Sequence, residues 1–267
     1  TIGVPPGIVE NYTLDNEKSL DVVIGPDIAV MDITAPDYLG IGYAQPVKAT
    51  IANLGVTDEP SITIQLIANN TVVNSTVISL NSGESTEVTF MWDGTTSGEG
   101  IYDVIIHAVP VAGESYLKNQ NKSHTVEVFY PHGLLLLVDD DNDDEGEEPY
   151  EKWYINAIYK AHWVFDLWDI DDDGVPPASY MSNYSAVIWE TGDTGDTFGW
   201  TYYPALDASE RAAIQDYLTN YSGRLFISGQ NIAQDAQNEG WTDWLATYFH
   251  ANLSTTNTGV VDMEGVT

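Results

Sequence analysis

The chain has 267 residues and carries 41 acidic against 8 basic side chains, which gives a formal net charge of -33. This balance excludes nucleic acid as a partner, because a phosphate backbone requires a positive protein surface, and it disfavours anionic membrane surfaces. The sequence contains no cysteine, which excludes disulfides, thiolate metal sites and a cysteine nucleophile. No apolar run reaches transmembrane length, so we expect no direct membrane insertion. The length allows two ordinary domains, each with its own core.

Residues 1–26 contain Pro5-Pro6-Gly7 and Gly25-Pro26 and show little periodicity, which predicts a linker or an extended N-terminal segment. Residues 27–130 alternate apolar and polar side chains in seven short segments, which predicts an all-β, immunoglobulin-like sandwich. The predicted strands are 27–34, 46–53, 61–68, 71–79, 85–92, 101–109 and 123–129. Six alternating side chains are predicted to face the core: Val47, Ala49, Ile51, Val88, Phe90 and Trp92.

Several motifs in this module resemble a known family. In chain order they are Asp27-Ile28-Ala29-Val30, Ala52-Asn53-Leu54-Gly55, Leu80-Asn81-Ser82-Gly83-Glu84-Ser85, Val88-Thr89-Phe90-Met91-Trp92, Gly100-Ile101-Tyr102 and 119–123. Residues 27–129 resemble a CARDB domain. The resemblance implies an adhesion-related sandwich module of secreted bacterial and archaeal proteins, extracellular presentation and no catalysis. The acidic residue often found before the last strand is displaced to Glu114.

The apolar run 133–138, followed by Asp139-Asp140-Asp141, marks a change of architecture. Such a run is typical of a parallel strand that is buried on both faces and whose carboxyl end opens into a polar crevice. Strand-like and helical segments alternate from here, which predicts a doubly wound α/β parallel sheet of flavodoxin-like kind in residues 131–267. The predicted strands are 134–138, 163–168, 186–189 and 225–228, and the predicted helices are 150–162, 207–221 and 241–250.

This half resembles the glutamine-amidotransferase-like domain found beside peptidase and adhesion modules in secreted prokaryotic proteins. The matching segments, 136–141, 150–154, 167–169, 187–193 and 223–230, run in register through residues 133–250. Such a domain usually adds further strands beyond the point at which this sequence ends. Two explanations stay open for the incomplete sheet: the polypeptide was clipped, or another segment completes it.

An active class I amidotransferase has a cysteine at the turn after its fourth strand, assisted by a histidine and a glutamate. The resemblance places Ser228 at that position. No glycine stands two residues before Ser228, and the one downstream histidine, His250, has no glutamate at short spacing after it. We therefore interpret the domain as a catalytically silent relative in which Ser228 caps a strand-to-helix turn. A hydrolase that uses Ser228 as its nucleophile is the alternative.

Carboxylates cluster after the first predicted strand of this module, at 139–148, and after the second, at 169–173. The second cluster has the Asp-x-Asp-x-Asp-Gly start of a calcium loop, although Tyr180 stands where a bidentate Glu belongs and Pro176-Pro177 interrupts the pattern. The two clusters follow neighbouring strands, which would let them share ions. The sequence predicts a Ca²⁺ site, with a solvated acidic rim as the alternative. The predicted ligands are Asp139, Asp140, Asp141, Asp143, Asp169, Asp171 and Asp173.

Glu190 and Asp193 follow the third predicted strand and therefore face the same crevice, where doubly wound sheets bind their ligands. The nearby aromatic residues Trp200, Tyr202 and Tyr203 lie in a predicted surface loop. Aromatic side chains in such a loop stack on sugars or become buried at a protein interface. The alternative is that they only fix the loop to its own domain.

Seven Asn-x-Ser/Thr sequons occur, which is more than chance supplies in this composition. They begin at Asn11, Asn69, Asn74, Asn121, Asn183, Asn220 and Asn252. Their number favours a glycosylated protein at the cell surface or outside the cell.

Together these features predict a non-catalytic extracellular module for adhesion, display or structural assembly, stabilised by cations in its acidic loops. The predicted partners are other surface proteins, carbohydrate, or further copies of the chain. Copies would join by strand addition, in which residues 1–26 of one chain pair with the open sheet edge of the next and propagate a filament. An accessory domain pair of a secreted peptidase is the main alternative function.

Overall fold

The structure is a computed structural model that describes residues 25–141, 150–198 and 201–251. Most of the predicted N-terminal segment, 1–26, lies outside these residues. The described chain divides into two compact units. The first comprises 25–37, 45–92 and 101–127, and the second comprises the remaining described residues.

Eight strands form two sheets in the β-rich part of the chain. They are β1 (Ile28–Val30), β2 (Tyr38–Gly40), β3 (Gln45–Asn53), β4 (Glu59–Ala68), β5 (Thr71–Leu80), β6 (Ser85–Trp92), β7 (Gly100–Ala108) and β8 (Asn121–Phe129). One sheet has the order β1-β3-β6 and the other has the order β2-β8-β7-β4-β5. All seven predicted strands are present; β6 has the predicted bounds, and the other six have shifted ends. The additional strand, β2, has only three residues and is too short to show a period-2 pattern.

The core of this sandwich comes from the alternation of side chains along its strands. Val47 pairs with Phe90, and Ala49 pairs with Val88, across the antiparallel strands β3 and β6. Because paired residues project to the same face, the apolar side chains of both strands cover one side of the sheet. All six residues predicted to face inward are at most 8% exposed. The immunoglobulin-like sandwich predicted from the sequence is confirmed.

The described residues from 133 onward contain six strands and six helices. The strands are β9 (Leu134–Asp139), β10 (Val164–Asp169), β11 (Val187–Glu190), β12 (Asp196–Phe198), β13 (Thr201–Tyr203) and β14 (Leu225–Ser228). The helices are α1 (Glu151–Lys160), α2 (Ile170–Asp173), α3 (Ala178–Met181), α4 (Ala208–Asn220), α5 (Ile232–Glu239) and α6 (Thr242–Phe249). Four strands form a parallel sheet in the order β10-β9-β11-β14, and β12 pairs with β13 as a separate hairpin.

Strand β9 lies inside the parallel sheet and is covered on both faces. Leu136 and Val138 belong to one core cluster, which also contains Ile214 of α4. Leu137 belongs to a second cluster, which contains Ile158 of α1. The continuous apolar run in the sequence follows from this position, because every interior side chain of the strand meets a packed layer.

Helix α4 begins where the sequence predicts a cap. The Asp207 carboxylate accepts hydrogen bonds from the N–H groups of Ser209 and Glu210, and the Glu210 carboxylate accepts one from the Asp207 N–H. This capping box satisfies donors that the first turn of a helix otherwise leaves without partners.

The sequence pattern did not predict α2, α3, α5 or the β12–β13 hairpin. Each of these elements is short, and the eight residues of α5 are mostly polar. Asp235 within α5 is nevertheless fully buried. Its Oδ2 accepts a hydrogen bond from the Ala205 N–H at 3.2 Å. Such a contact comes from tertiary packing and leaves no mark in a periodicity pattern.

Candidate metal centre

Four acidic side chains meet at the carboxyl ends of β9 and β11. Asp139 is the last residue of β9, and Glu190 is the last residue of β11. The two residues are paired in the parallel register, so their side chains leave the same face of the sheet. Asp141 joins them from two residues beyond Asp139, and Glu151 joins them from the first turn of α1.

The four carboxylates lie close together and are largely shielded from water. One oxygen from each lies within 4.8 Å of the others. Oε2 of Glu190 accepts a hydrogen bond from the Gly192 N–H at 3.1 Å, whereas its Oε1 is buried with no hydrogen-bond partner among the described residues. The same is true of Oε2 of Glu151. Buried oxygens of this kind require a donor or a cation.

Electrostatics at this cluster favour a bound cation. Burial, followed by the charges of Asp139 and Asp141, raises the pKa of Glu190 to about 9. A divalent cation would pair with the carboxylates and oppose both effects. All four side chains offer oxygen, which is the donor that Ca²⁺ prefers, and none offers the sulfur or nitrogen typical of zinc sites. The residues present therefore fit Ca²⁺.

Glycines allow the neighbouring loops to approach the cluster. A Cβ atom at Gly192, where φ is +49°, would lie 2.7 Å from the Cβ of Asp141. A Cβ atom at Gly229 would clash with Oγ1 of Thr191. The loop after β11 is thus held between Asp141 and the turn after β14, which fixes the Gly192 N–H beside Glu190.

Asp140, a predicted ligand, does not join the cluster. Its Oδ2 accepts a hydrogen bond from Nε1 of Trp189 at 2.8 Å. Burial, followed by the charge of Glu210 on α4, raises the pKa of Asp140 to about 9. Because successive side chains of a strand alternate between its faces, three consecutive aspartates cannot all reach one ion. The structure therefore corrects the predicted ligand set at this position.

The predicted calcium loop is replaced by a short helix. Residues 170–173 form α2, and the Asp169 carboxylate caps its N-terminus. Oδ1 of Asp169 accepts hydrogen bonds from the N–H groups of Asp171 and Asp172 at 2.9 and 3.3 Å. A carboxylate oxygen that accepts these backbone hydrogen bonds acts as the N-cap of the helix rather than as a metal ligand.

The other predicted ligands are also separated from the cluster. Asp171 and Asp173 are exposed on α2, and among the residues that the structure describes neither is grouped with Asp139. Gly174 does adopt a positive φ of 71°, as the predicted sharp turn requires. Asp143 lies outside the described residues.

Ser228, the candidate nucleophile, is the last residue of β14 and is paired with Glu190 in the register. Its carbonyl accepts a hydrogen bond from the Thr191 N–H at 2.9 Å. The interpretation that Ser228 caps the following turn is wrong, because α5 has its N-cap three residues later, at Asn231. The Asn231 side chain instead links this turn to the loop after β11, because its Nδ2 donates a hydrogen bond to the carbonyl of Asp193 at 2.9 Å.

The residues predicted to form a ligand or interface surface are dispersed. Glu190 belongs to the carboxylate cluster, whereas the Asp193 side chain is exposed. Tyr202 is 38% exposed and lies beside Tyr203 in β13, so the aromatic segment includes a hairpin strand. Trp200 lies outside the described residues. Stacking on a sugar or burial at an interface stays a prediction for this segment.

Five of the seven predicted sequons fall within the described residues. Three of these use their side-chain Nδ2 as a hydrogen-bond donor. Asn69 donates to the Ile101 carbonyl, Asn183 donates to the carbonyls of Ser179 and Tyr180, and Asn220 donates to Oδ1 of Asp216. In the other two, Asn74 and Asn121, the recorded hydrogen bonds involve Oδ1. The remaining sequons, at Asn11 and Asn252, lie outside the described residues.

Sequence reasoning missed Glu151 as a member of the carboxylate cluster and assigned Glu190 to a ligand surface. Glu151 closes the acidic run that follows β9 and opens a predicted helix. That position was a usable signal, since a βα connection in such a sheet returns the helix N-terminus to the carboxyl edge of the strand.

Glu210 provides a test of buried charge on the opposite face of the sheet. It is 7% exposed, and burial, with the nearby Asp207 charge as a smaller cause, raises the pKa of Glu210 to about 7. The folded state therefore binds the proton more tightly than the unfolded state, and the free energy of unfolding falls as the pH rises from about 4.5 to about 7. Glu210→Gln removes the charge and keeps an oxygen for the Asp207 N–H. We expect this variant to gain about 1–3 kcal/mol at pH 8.

Urea unfolding at pH 5 and pH 8 checks this expectation. The free energies of unfolding of Glu210→Gln and the native sequence should differ much less at pH 5 than at pH 8. Glu99→Gln, which removes an exposed charge, is the matched control. Equal gains in both variants would assign the effect to general relief of the net charge.

Comparison with known proteins decides the nature of the first unit. The CARDB family model matches residues 25–124. Residues 25–124 form a CARDB domain. The CARDB prediction is therefore confirmed, and the CARDB match ends within β8. The amidotransferase-like resemblance of the second unit stays a prediction.

Solved structures similar to this chain include CARDB domains. The crystal structure of a CARDB domain from Pyrococcus furiosus, in complex with di-metal ions, is 25% identical and covers 41% of this chain and 95% of that chain, with a TM-score of 0.36. A domain of a proposed cell surface protein from Methanosarcina acetivorans is 25% identical and covers 40% of this chain and 94% of that chain, with a TM-score of 0.34. A β-glucosidase from Listeria innocua is 16% identical and covers 39% of this chain and 16% of that chain, with a TM-score of 0.30.

The chain matches none of the curated proteins. Within the part of the chain that the structure describes, no helix is both long enough and apolar enough to cross a membrane.

Proposed function

We propose that this chain is a non-catalytic extracellular module in which a CARDB domain and a Ca²⁺-binding α/β unit serve adhesion, display or structural assembly. The CARDB domain supports the surface location. The observation that carries the cation-binding part is the convergence of Asp139, Asp141, Glu151 and Glu190, with Oε1 of Glu190 buried and unpartnered.

The donor set favours Ca²⁺ over Mg²⁺. Four carboxylates offer up to eight oxygens, and Ca²⁺ accepts six to eight oxygens in flexible geometry. Mg²⁺ demands a near-ideal octahedron and usually retains several waters, which a cluster closed by four side chains does not readily accommodate. The outer surface of a cell is also where calcium is abundant enough to occupy sites with dissociation constants of roughly 10⁻⁴–10⁻³ M.

We infer that the second unit is a silent relative of the glutamine-amidotransferase-like domain. The parallel order β10-β9-β11-β14 and the placement of Ser228 at the end of β14 support this inference. The residue paired with Ser228 in the sheet register is Glu190, and its carboxylate belongs to the acidic cluster. It is therefore not free to assist a serine nucleophile.

Assembly by strand addition is proposed for the open end of this sheet. Among the described strands, β14 has a neighbour on one side only, and its Phe226 is 57% exposed. Backbone groups on such an edge can pair with an added strand. Electron microscopy of native material separates polymers from single modules.

Calorimetric titration of the whole chain with Ca²⁺ tests the proposed function. We expect one site in the native sequence and at least a tenfold loss of affinity in Glu190→Gln, because this change removes a buried ligand charge. Asp173→Asn is the matched control, since it removes one charge from an exposed acidic residue outside the cluster.

Two outcomes contradict the cation-binding proposal. The first is the absence of binding heat at millimolar Ca²⁺ in the native sequence. The second is equal weakening in both variants, which would assign the binding to the diffuse negative field of the chain rather than to the cluster.

A further inference from the structure

The CARDB domain has a long free sheet edge at β5. In the order β2-β8-β7-β4-β5, this strand lies at the end, and among the described strands it pairs with β4 alone. The strand has ten residues, none of which is charged, in a chain with a net charge of -33. Val72 and Val77 on this strand are 49% and 60% exposed.

Such an edge attracts other strands unless something covers it. Natural sheets protect their edges with charges, prolines, bulges or very short strands, because unpaired N–H and C=O groups template further pairing. The pairing of β5 with β4 shifts register beside Asn74, between Leu66 and Ile67, but the sequence of β5 has no charge, no proline and no glycine, and it is rich in β-branched residues. These properties are those of a segment prone to aggregation.

Asn74 stands near the middle of this edge and begins the sequon Asn74-Ser75-Thr76. Its side chain is exposed, and its Oδ1 accepts a hydrogen bond from the N–H of Ser75 at 2.8 Å. Within the described residues its Nδ2 donates to no partner. A group attached to Nδ2 would therefore break no hydrogen bond among the described residues.

The other described sequons are less suitable. The Nδ2 atoms of Asn69, Asn183 and Asn220 are engaged as donors, so a sugar on them would displace existing hydrogen bonds. Asn121 does not use Nδ2, but it lies on β8, an interior strand between β2 and β7. Among the described sequons, only Asn74 combines a free Nδ2 with an edge that needs cover.

We propose that Asn74 is an N-glycan acceptor and that its glycan covers the β5 edge. In the transfer step Nδ2 forms a bond to the anomeric carbon of a phosphate-activated glycosyl donor. The bond from that carbon to the phosphate oxygen breaks, the phosphate carrier leaves with the electron pair, and Nδ2 loses one proton to a base. The neutral, bulky sugar then shields backbone groups that charged side chains do not protect.

Peptide mapping of the native protein, with fragmentation that retains glycans, tests the acceptor assignment. We expect a glycan on Asn74 and a bare Asn69 within the same peptide. After correction for the added methylene, expression of Asn74→Gln in the native host should lower the intact mass by one glycan, whereas Asn183→Gln, the matched control, should leave the attached glycan mass unchanged. A bare Asn74 in native material overturns the proposal, whether or not other sequons carry sugar.

The covering role has its own test. Asn74→Gln should increase self-association in sedimentation velocity relative to the glycosylated parent, and adding Val77→Lys should reverse that increase by placing a charge on the same edge. If Asn74→Gln has the same association state as the glycosylated parent, the β5 edge does not require a glycan, and the covering role is overturned. Pairing with a second copy at β5 in the glycosylated protein would overturn it as well.

Discussion

Ca²⁺ at about 100 times its dissociation constant is expected to raise the unfolding midpoint of the second unit by roughly 5–10 °C relative to the protein in chelator. An ion that binds the folded state alone stabilises it by about 2.7 kcal/mol when its concentration is 100 times its dissociation constant. The stabilisation arises because the ion offsets repulsion among Asp139, Asp141, Glu151 and Glu190, which each place one carboxylate oxygen within 4.8 Å of the others. Differential scanning calorimetry measures the shift.

Ionic strength must be matched with a monovalent salt, because salt alone screens a net charge of -33. Glu190→Gln should abolish most of the Ca²⁺-dependent shift, whereas Asp173→Asn should preserve it. The midpoint of the CARDB transition serves as an internal reference, since the cluster lies wholly in the second unit. An identical midpoint in chelator and in Ca²⁺ would eliminate the proposed site.

The carboxyl edge of the sheet was predictable because its signals are local. An apolar run that ends in aspartates identifies both the buried strand β9 and the polar crevice beyond it. The prediction erred by treating Asp139, Asp140 and Asp141 as equivalent. Alternation along an extended chain sends Asp140 to Trp189 and the other two to Glu190. The alternation rule was available from the sequence and would have improved the ligand set.

Other parts of the site depend on tertiary structure and local competition. Glu151 meets Glu190 because the βα connection after β9 places the first turn of α1 at the carboxyl edge of the sheet, and this follows from the topology rather than from any ligand spacing in the sequence. The Asp-x-Asp-x-Asp-Gly motif predicts a calcium loop, but Asp169 instead caps α2 through the N–H groups of Asp171 and Asp172. A capping carboxylate and a metal-binding carboxylate have the same sequence pattern, and the surrounding fold decides between them.

The CARDB domain gives a similar lesson at Asn53. The dipeptide Asn53-Leu54 before Gly55 predicts a turn, and the structure shows why asparagine is used there. Asn53 is fully buried, its Nδ2 donates to the carbonyls of Thr57 and Leu80 at 2.8 and 3.2 Å, and its Oδ1 accepts from the Gly55 N–H at 3.1 Å. One side chain thus holds the loop after β3 against the end of β5.

Asn53→Ala is expected to destabilise the CARDB domain by about 2–3 kcal/mol, which corresponds to a fall in its unfolding midpoint of roughly 10–20 °C. The change leaves the Leu80 carbonyl and the Gly55 N–H without their side-chain partner in a buried setting, and unsatisfied buried groups carry the full cost of lost hydration. The small cavity left by the amide adds to this cost. Differential scanning calorimetry measures the unfolding midpoint of the CARDB domain in the native and variant chains.

Asn81→Ala is the matched control, because Asn81 is exposed and its recorded hydrogen bonds use the backbone. Its effect should stay within about 0.5 kcal/mol, as for most surface substitutions. The Ca²⁺-dependent shift of the second unit should be the same in Asn53→Ala as in the native chain, since Asn53 and the carboxylate cluster belong to different units. A midpoint in Asn53→Ala as high as that in Asn81→Ala would show that water replaces all three hydrogen bonds, and the buried amide would then have no stabilising role.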